Sequence, residues 1–312
     1  MMRTPRTLLF CVALLVWSAF AAKAGQYEDA IAAAKSGDYA IALTLLRPLA
    51  ERGNAASQNA LGGMYLNGLG LAQDSAAAAG WYRKAAEQGN ADAQTQLGDM
   101  YAGGEGVRQE YKEALKWWQL AAAQGNARAQ SNLGVMYEDG DGVTPDYKEA
   151  EKWYRLAAAQ GVSAAQTGLG YMYRTGEGVT KNYKEAEKWF RLGAALGDAG
   201  AQDNLGLMYE NGEGVPQDYK EAHKWYRLAA GQGNADALNN LGAMHENGEG
   251  VAQDYVRAHM WFNVAALSLQ GERRKAAADN RDAIAAKMTP TQIEQAQALA
   301  RTCLQSNYRE CD

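Results

Sequence analysis

Proline is scarce in this chain, 5 residues in 312, and histidine and cysteine number 3 each. So little proline excludes collagen and proline-rich linkers. The few histidines come with no Gly-x-Ser-x-Gly, phosphate-loop or His-Glu-x-x-His motif, so no familiar enzyme motif is present. Long apolar runs are absent beyond residue 22, and charged residues make up 21% at a mean hydropathy of −0.45, which excludes a multi-span membrane protein. A hydrophobic share of 47% excludes a disordered chain. Glycine, in contrast, is plentiful: 34 residues, well above the usual ~7% share. With little proline and few β-branched runs, that glycine must punctuate something regular.

The N-terminus is treated apart. Arg3 and Arg6 precede an apolar run, Leu8 to Ala22, and Ala22-Lys23-Ala24 fits the small-x-small site of a cleaved secretory signal. The run is shorter than the ~20 residues of a spanning helix; an uncleaved anchor is the alternative. Cys11 lies well inside the run and does not read as a lipoprotein cysteine. The whole chain carries a formal charge of −5, and cleavage after Ala24 removes three basic residues and no acid. Such an acidic remainder does not suit general nucleic-acid binding, which draws on Lys and Arg, nor docking on an anionic membrane. The expectation is a periplasmic or secreted chain with no membrane span after cleavage.

A repeat organises the rest. Leu-Gly pairs begin at Leu61, Leu97, Leu133, Leu169, Leu205 and Leu241, and tryptophans stand at 81, 117, 153, 189, 225 and 261, always 36 residues apart. Six ungapped units run from Asn54 to Leu269. Within a unit, Ala129, Leu133, Met136 and Tyr137 mark one helical face, and Tyr147, Ala150, Trp153, Tyr154 and Ala157 mark another. Between them Gly140 to Asp146 is a helix breaker. Each unit therefore reads as helix, glycine loop, helix. One hairpin cannot bury its apolar face alone and needs stacked neighbours, so the tryptophans read as inter-helix core. Glycine inside a helix costs about 1 kcal/mol against alanine, and its recurrence in Leu-Gly implies a close approach of the partner helix.

Both ends read as caps. Residues 25–53 form a shorter hairpin without the Gly-x-Gly-Val loop, a degenerate first repeat. Residues 270–312 turn polar on one side and hold a final helix whose start, Thr289-Pro290-Thr291-Gln292, is a capping box with proline at the first helical position.

The units, such as AQSNLGVMYEDGDGVTPDYKEAEKWYRLAAAQG from Ala129 to Gly161, resemble the SEL-like repeat family, a branch of the tetratricopeptide-type α/α solenoids. The resemblance rests on Leu-Gly-x-Met-Tyr, Gly-x-Gly-Val and Tyr-x-x-Ala-x-x-Trp and covers all six units; Ser75, His245 and Leu238 depart from it. It implies an all-α, right-handed superhelical solenoid whose first helices line a concave groove that holds a protein or peptide.

Comparing the six copies locates a candidate groove. Residue type changes from copy to copy on the side of the first helix away from Leu, Met and Tyr. There stand Arg128, Asn132, Val135 and Glu138 in unit three, Tyr171 and Arg174 in unit four, and Asp203, Asn204, Leu207 and Glu210 in unit five, with Asn240 in unit six. By resemblance to tetratricopeptide grooves, Asn132, Asn204 and Asn240 would hydrogen-bond the backbone of an extended partner. Plain solvated surface would vary equally freely. Tyr171 and Leu207, large and apolar at one position of adjacent units, favour a binding strip.

Other chemistry is thin. His223 and His259 share a unit position, which would place them on adjacent second helices, but two histidines without a third ligand read as surface residues and not as a metal site. The repeated loop acid, Glu105, Asp141, Glu177, Glu213 and Glu249, reads as local hydrogen bonding and not calcium ligation. Beyond the leader only Cys303 and Cys311 remain; in an exported protein they read as a disulfide, with a reactive or intermolecular thiol pair as the alternative. A cysteine-rich subgroup of the resembled family is linked to β-lactam binding or hydrolysis, but it carries cysteine pairs within its repeats and this chain carries none there. The reading is a non-catalytic scaffold without cofactor or metal, placed in the envelope to restrain a sensor or organise a complex. The rival is a β-lactam or cell-wall-directed hydrolase or binder using Tyr171, Glu138 and Glu210.

Overall fold

The computed structural model describes residues 25–311, and every element in it is a helix; the leader, read as residues 1–24, lies outside them. The chain divides at Pro145 into two compact units. The first holds α1 (25–35), α2 (Tyr39–Glu51), α3 (Ala55–Asn67), α4 (Ser75–Glu87), α5 (Ala91–Gly103), α6 (Tyr111–Ala123) and α7 (Ala127–Asp139). The second holds α8 (Tyr147–Ala159), α9 (Ser163–Thr175), α10 (Tyr183–Ala195), α11 (Ala199–Asn211), α12 (Tyr219–Ala230), α13 (Ala235–Asn247), α14 (Tyr255–Ser268), α15 (Gly271–Ala285) and α16 (Pro290–Gln305). Within each unit, successive helices pair and stack as an α/α solenoid.

The repeat spells out its own helix ends. Asn90 and Asn126 cap α5 and α7 by accepting from the backbone N–H three residues on, at 2.8 and 3.0 Å, and Asp198 and Asn234 do the same for α11 and α13. Asp74, Asn182, Asp218 and Asp254 cap second helices. Each first helix stops at a left-handed glycine; at Gly212, φ is +70° and its N–H closes on Met208. Two residues on, Gly214 faces the start of the preceding second helix, where a Cβ would come within 2.7 Å of Tyr183. A buried glutamine ties one repeat to the next: Gln94 Nε2 donates to Ala86 O at 3.0 Å and its Oε1 accepts from Gln124 at 2.7 Å. In the sixth repeat Leu238 replaces that glutamine and is fully buried.

The aromatic core differs from the expectation. Trp117 and Trp261 are buried, but Trp81, Trp153, Trp189 and Trp225 are only half-buried, and lysine ammonium groups lie over several of these rings, Lys84 at 3.9 Å from the Trp81 centroid. The fully packed aromatic is the next residue, at Tyr82, Trp118, Tyr154, Phe190, Tyr226 and Phe262. Its ring lies on the Leu-Gly glycine. A Cβ at Gly170 would come within 2.5 Å of Phe190, and one at Gly98 within 2.5 Å of Trp118. The repeated helix glycine is thus the seat of a repeated ring.

The ends close the stack. In the first unit α2 packs against the loop of the first repeat, Tyr39 beneath Gly70. In the second, α15 pairs with α14, and it and the turn after it reach α13: Arg273 binds Asp236 at 2.8 Å, and Lys287, just past the helix, binds Glu246 at 3.1 Å. The capping box at Thr289 and Gln292 forms as its sequence spells. Cys303 and Cys311 are joined in a disulfide that turns the tail back. Tyr308, left-handed at φ 65°, lies against Gly233, with its hydroxyl 3.2 Å from Ser268 Oγ.

Candidate partner-binding face

The varying positions of the first helices meet across neighbouring repeats. In the first unit they converge on Asp99, the tenth residue of the second repeat. Its carboxylate accepts from Trp118 Nε1 at 3.0 Å and from Asn132 Nδ2 at 2.6 Å, and pairs with Arg128. Burial raises the Asp99 pKa, and Arg128, Trp118 and Asn132 pull the other way by favouring the charged form. Beside this hub a cleft of about 310 Å³ opens between α5, α6 and α7. Trp118, Met136 and Val135 give it apolar walls, Tyr111 lines it, and Asp99 and Asp141 supply carboxylates. Val135 is exposed and Glu138 half-buried on the same helix.

The second unit carries a longer polar network. Arg174 Nε donates to Glu213 at 2.7 Å and its Nη1 to Asn204 Oδ1 at 3.3 Å. Asn204 also donates to Gly200 O at 2.9 Å, and Asn240 Nδ2 to Asp203 at 3.3 Å. Glu210 accepts from the Tyr226 hydroxyl, and that bond together with burial holds the phenol in its neutral form. Leu207 is half-buried and packs on the core beneath, whereas Tyr171 stands 40% exposed. Asn132, Asn204 and Asn240, read as clamps for a partner's backbone, each spend an amide hydrogen bond within the protein.

Asp203 is the most perturbed acid of this face. It is 7% exposed, and its pKa is pushed up to about 7, first by burial and then by the charge of Asp236; Asn240 and Arg174 oppose the shift. A folded-state value above the unfolded one near 3.9 means that the charge is a burden at neutral pH. Stability is therefore gained as pH falls through 7 and levels off near 4. Asp203→Asn keeps an acceptor for Asn240 and removes the charge. Its melting temperature is expected to exceed wild type by more at pH 8 than at pH 5; equal gains at both would show that the buried charge is not the cause.

The histidines are not arranged as expected. His259 is buried, and burial lowers its pKa; His223 meets His245 and not His259, with ring centroids 5.7 Å apart. Two loop acids bond locally as expected, Glu177 accepting from Thr175 at 3.3 Å and Glu249 from Asn247 at 3.4 Å, whereas Glu105 accepts from Ser75 of the preceding repeat at 3.0 Å and Glu213 takes Arg174. No group of three or more metal-ligating side chains occurs among the described residues. No helix among them is long and apolar enough to cross a membrane.

The repeat pattern alone does not single out Asp99 or Trp118. A signal exists: where the other copies carry Gly63, Val135, Tyr171, Leu207 and Ala243, only the second has a carboxylate, and only that repeat has a second tryptophan, Trp118, directly after the repeated one.

The chain belongs to the Sel1 repeat family, whose repeat matches residues 55–90, 91–126, 127–162, 163–198, 199–234 and 235–268. Among solved structures it is similar to a Sel1 repeat protein from Oxalobacter formigenes, 35% identical with a TM-score of 0.74, over 79% of this chain and 98% of that one. It is also similar to c5321, a protective antigen of uropathogenic Escherichia coli strains displaying an SLR fold, 34% identical with a TM-score of 0.60, over 93% of this chain and 70% of that one. No match was found among curated proteins. Sel1 repeat solenoids typically serve as scaffolds for protein interaction.

Proposed function

We propose that the chain is an exported, non-catalytic scaffold that holds a protein or peptide partner on its first-helix face and so restrains a sensor or organises an envelope complex. One observation carries this reading. The residues that pack the stack repeat from copy to copy, whereas those on the first-helix face change, and the change builds an open apolar-walled cleft edged by Asp99 and Asp141. Folding alone asks for no such variety, since one identical unit stacks on itself. Export is supported by Arg3, Arg6, the run Leu8 to Ala22 and the Ala22-Lys23-Ala24 site. The rival hydrolase is weakened by Glu210, whose carboxylate is engaged by Tyr226.

Site-specific photo-crosslinking tests the face. A photoreactive residue at Val135 or Tyr171, both exposed, is expected to trap a discrete partner in periplasmic extract, whereas one at Leu228, exposed on a second helix, traps none. Equal trapping from Leu228 would move the interface elsewhere. Turnover of nitrocefin or peptidoglycan fragments by the purified chain would instead favour the hydrolase.

A further inference from the structure

Two seams of the second unit share one device. A glutamate on the second helix, an arginine one turn later and a tyrosine from the next first helix form a chain. Arg155 donates to Glu151 at 2.8 Å and reaches Tyr173; Arg191 donates to Glu187 at 2.7 Å and to Tyr209 at 2.6 Å. At the next seam, between α12 and α13, both outer members are changed together. His223 stands in the place of Glu151 and Glu187, His245 in that of Tyr173 and Tyr209, and Arg227 keeps the arginine position.

The two imidazoles meet edge to face, 5.7 Å between centroids. His245 is 5% exposed, and its Nδ1 is buried without a hydrogen-bond partner. A cleft of about 290 Å³ opens beside the pair, with Asp254 and Arg257 from the start of α14 in its wall. The charged and titratable groups around His245 are thus His223 and Arg227 from α12, and Asp254 and Arg257 from the α14 side.

We propose that the His223–His245 pair is an acid-sensitive seam, at which protonation loosens α13 from α12 while the Glu–Arg–Tyr seams stay closed. A proton on His245 puts a cation into a buried site that already faces two arginines and one carboxylate. A second proton puts like charges side by side. The His245 pKa is accordingly pushed down to about 4, by burial first and then by His223 and Arg257. The folded value lies below the unfolded one near 6.5, so the neutral His245 contributes fully above pH 6.5, and its contribution is lost as pH falls from there towards 4. At pH 5 these two values give a loss of about 30-fold in the folding constant. The device operates whatever the partner is.

The double variant His223→Glu/His245→Tyr restores the triad that the protein already folds around elsewhere, so the test does not depend on an untried packing. Thermal melts of the full chain at pH 7.5 and pH 5 are expected to show wild type losing about 5 °C more than this variant. Asp203, whose pH dependence has the opposite sign, is common to both and cancels. The reciprocal variant Glu187→His/Tyr209→His should lose about as much again as wild type on acidification. Equal losses in wild type and the restored variant would overturn the proposal. So would a His245 imidazole that titrates near 6.5 by NMR in the folded chain.

Discussion

Gly206→Leu is expected to cost the second unit at least about 3 kcal/mol. A Cβ at this position alone would fall 2.5 Å from the ring of Tyr226, inside any tolerable contact, and leucine adds three further carbons. The ring cannot swing aside cheaply, because it is fully buried and its hydroxyl is bound to Glu210. The gain of about 1 kcal/mol from replacing a helical glycine is too small to offset this. Gly80→Leu is the control: Gly80 sits inside α4, exposed, with nothing within 4 Å of a built Cβ. That variant should be neutral or gain up to about 1 kcal/mol. Chemical denaturation of both decides the point. Equal midpoints would mean that the Leu-Gly glycine is not kept for ring packing.

Asp99→Ala is the second large effect, expected at about 2–4 kcal/mol. The substitution leaves the Trp118 N–H and the Asn132 amide without their acceptor beside a buried ring, and leaves Arg128 without its counter-charge. Leaving buried donors unsatisfied costs more than the bonds themselves contribute, at about 1–3 kcal/mol per group. Asp99→Asn keeps an acceptor for one donor and should recover about half of the loss. Hydrogen exchange of the Trp118 indole N–H reads the local event: faster exchange in Asp99→Ala is expected, and unchanged exchange would place the indole's protection elsewhere. Because Asp99 borders the cleft, Asp99→Asn should also weaken partner trapping at Val135 while the helical signal holds.

Particular residues show how far the sequence carries. Asn90, Asn126 and Asn234 stand at the start of their apolar stripes and are the caps, because capping is a contact with a backbone three residues away. The Thr289–Gln292 box is legible for the same reason. The tryptophans were harder. Their spacing announced a packing position, yet the residue one place on fills the core, because a 36-residue period fixes the repeat and not the rotation of a helix against its neighbour. The varying positions marked Asn132, Asp203 and Asn240 as one face. That these side chains bind Asp99 and each other, and not only water or a partner, needed the offset between stacked helices.

By itself the sequence determined the number of repeats, their register, and the two helices and glycine loop of each. Those features are written in contacts between residues a few positions apart and copied six times. Only the tertiary structure decided what lies opposite what: a tenth residue against the seventh of the next repeat at Asp99 and Asn132, His245 against His223, and Arg273 of the closing helix on Asp236. Such pairs join residues 22 to 37 positions apart, and their meeting depends on how far each hairpin is turned and shifted on the one before.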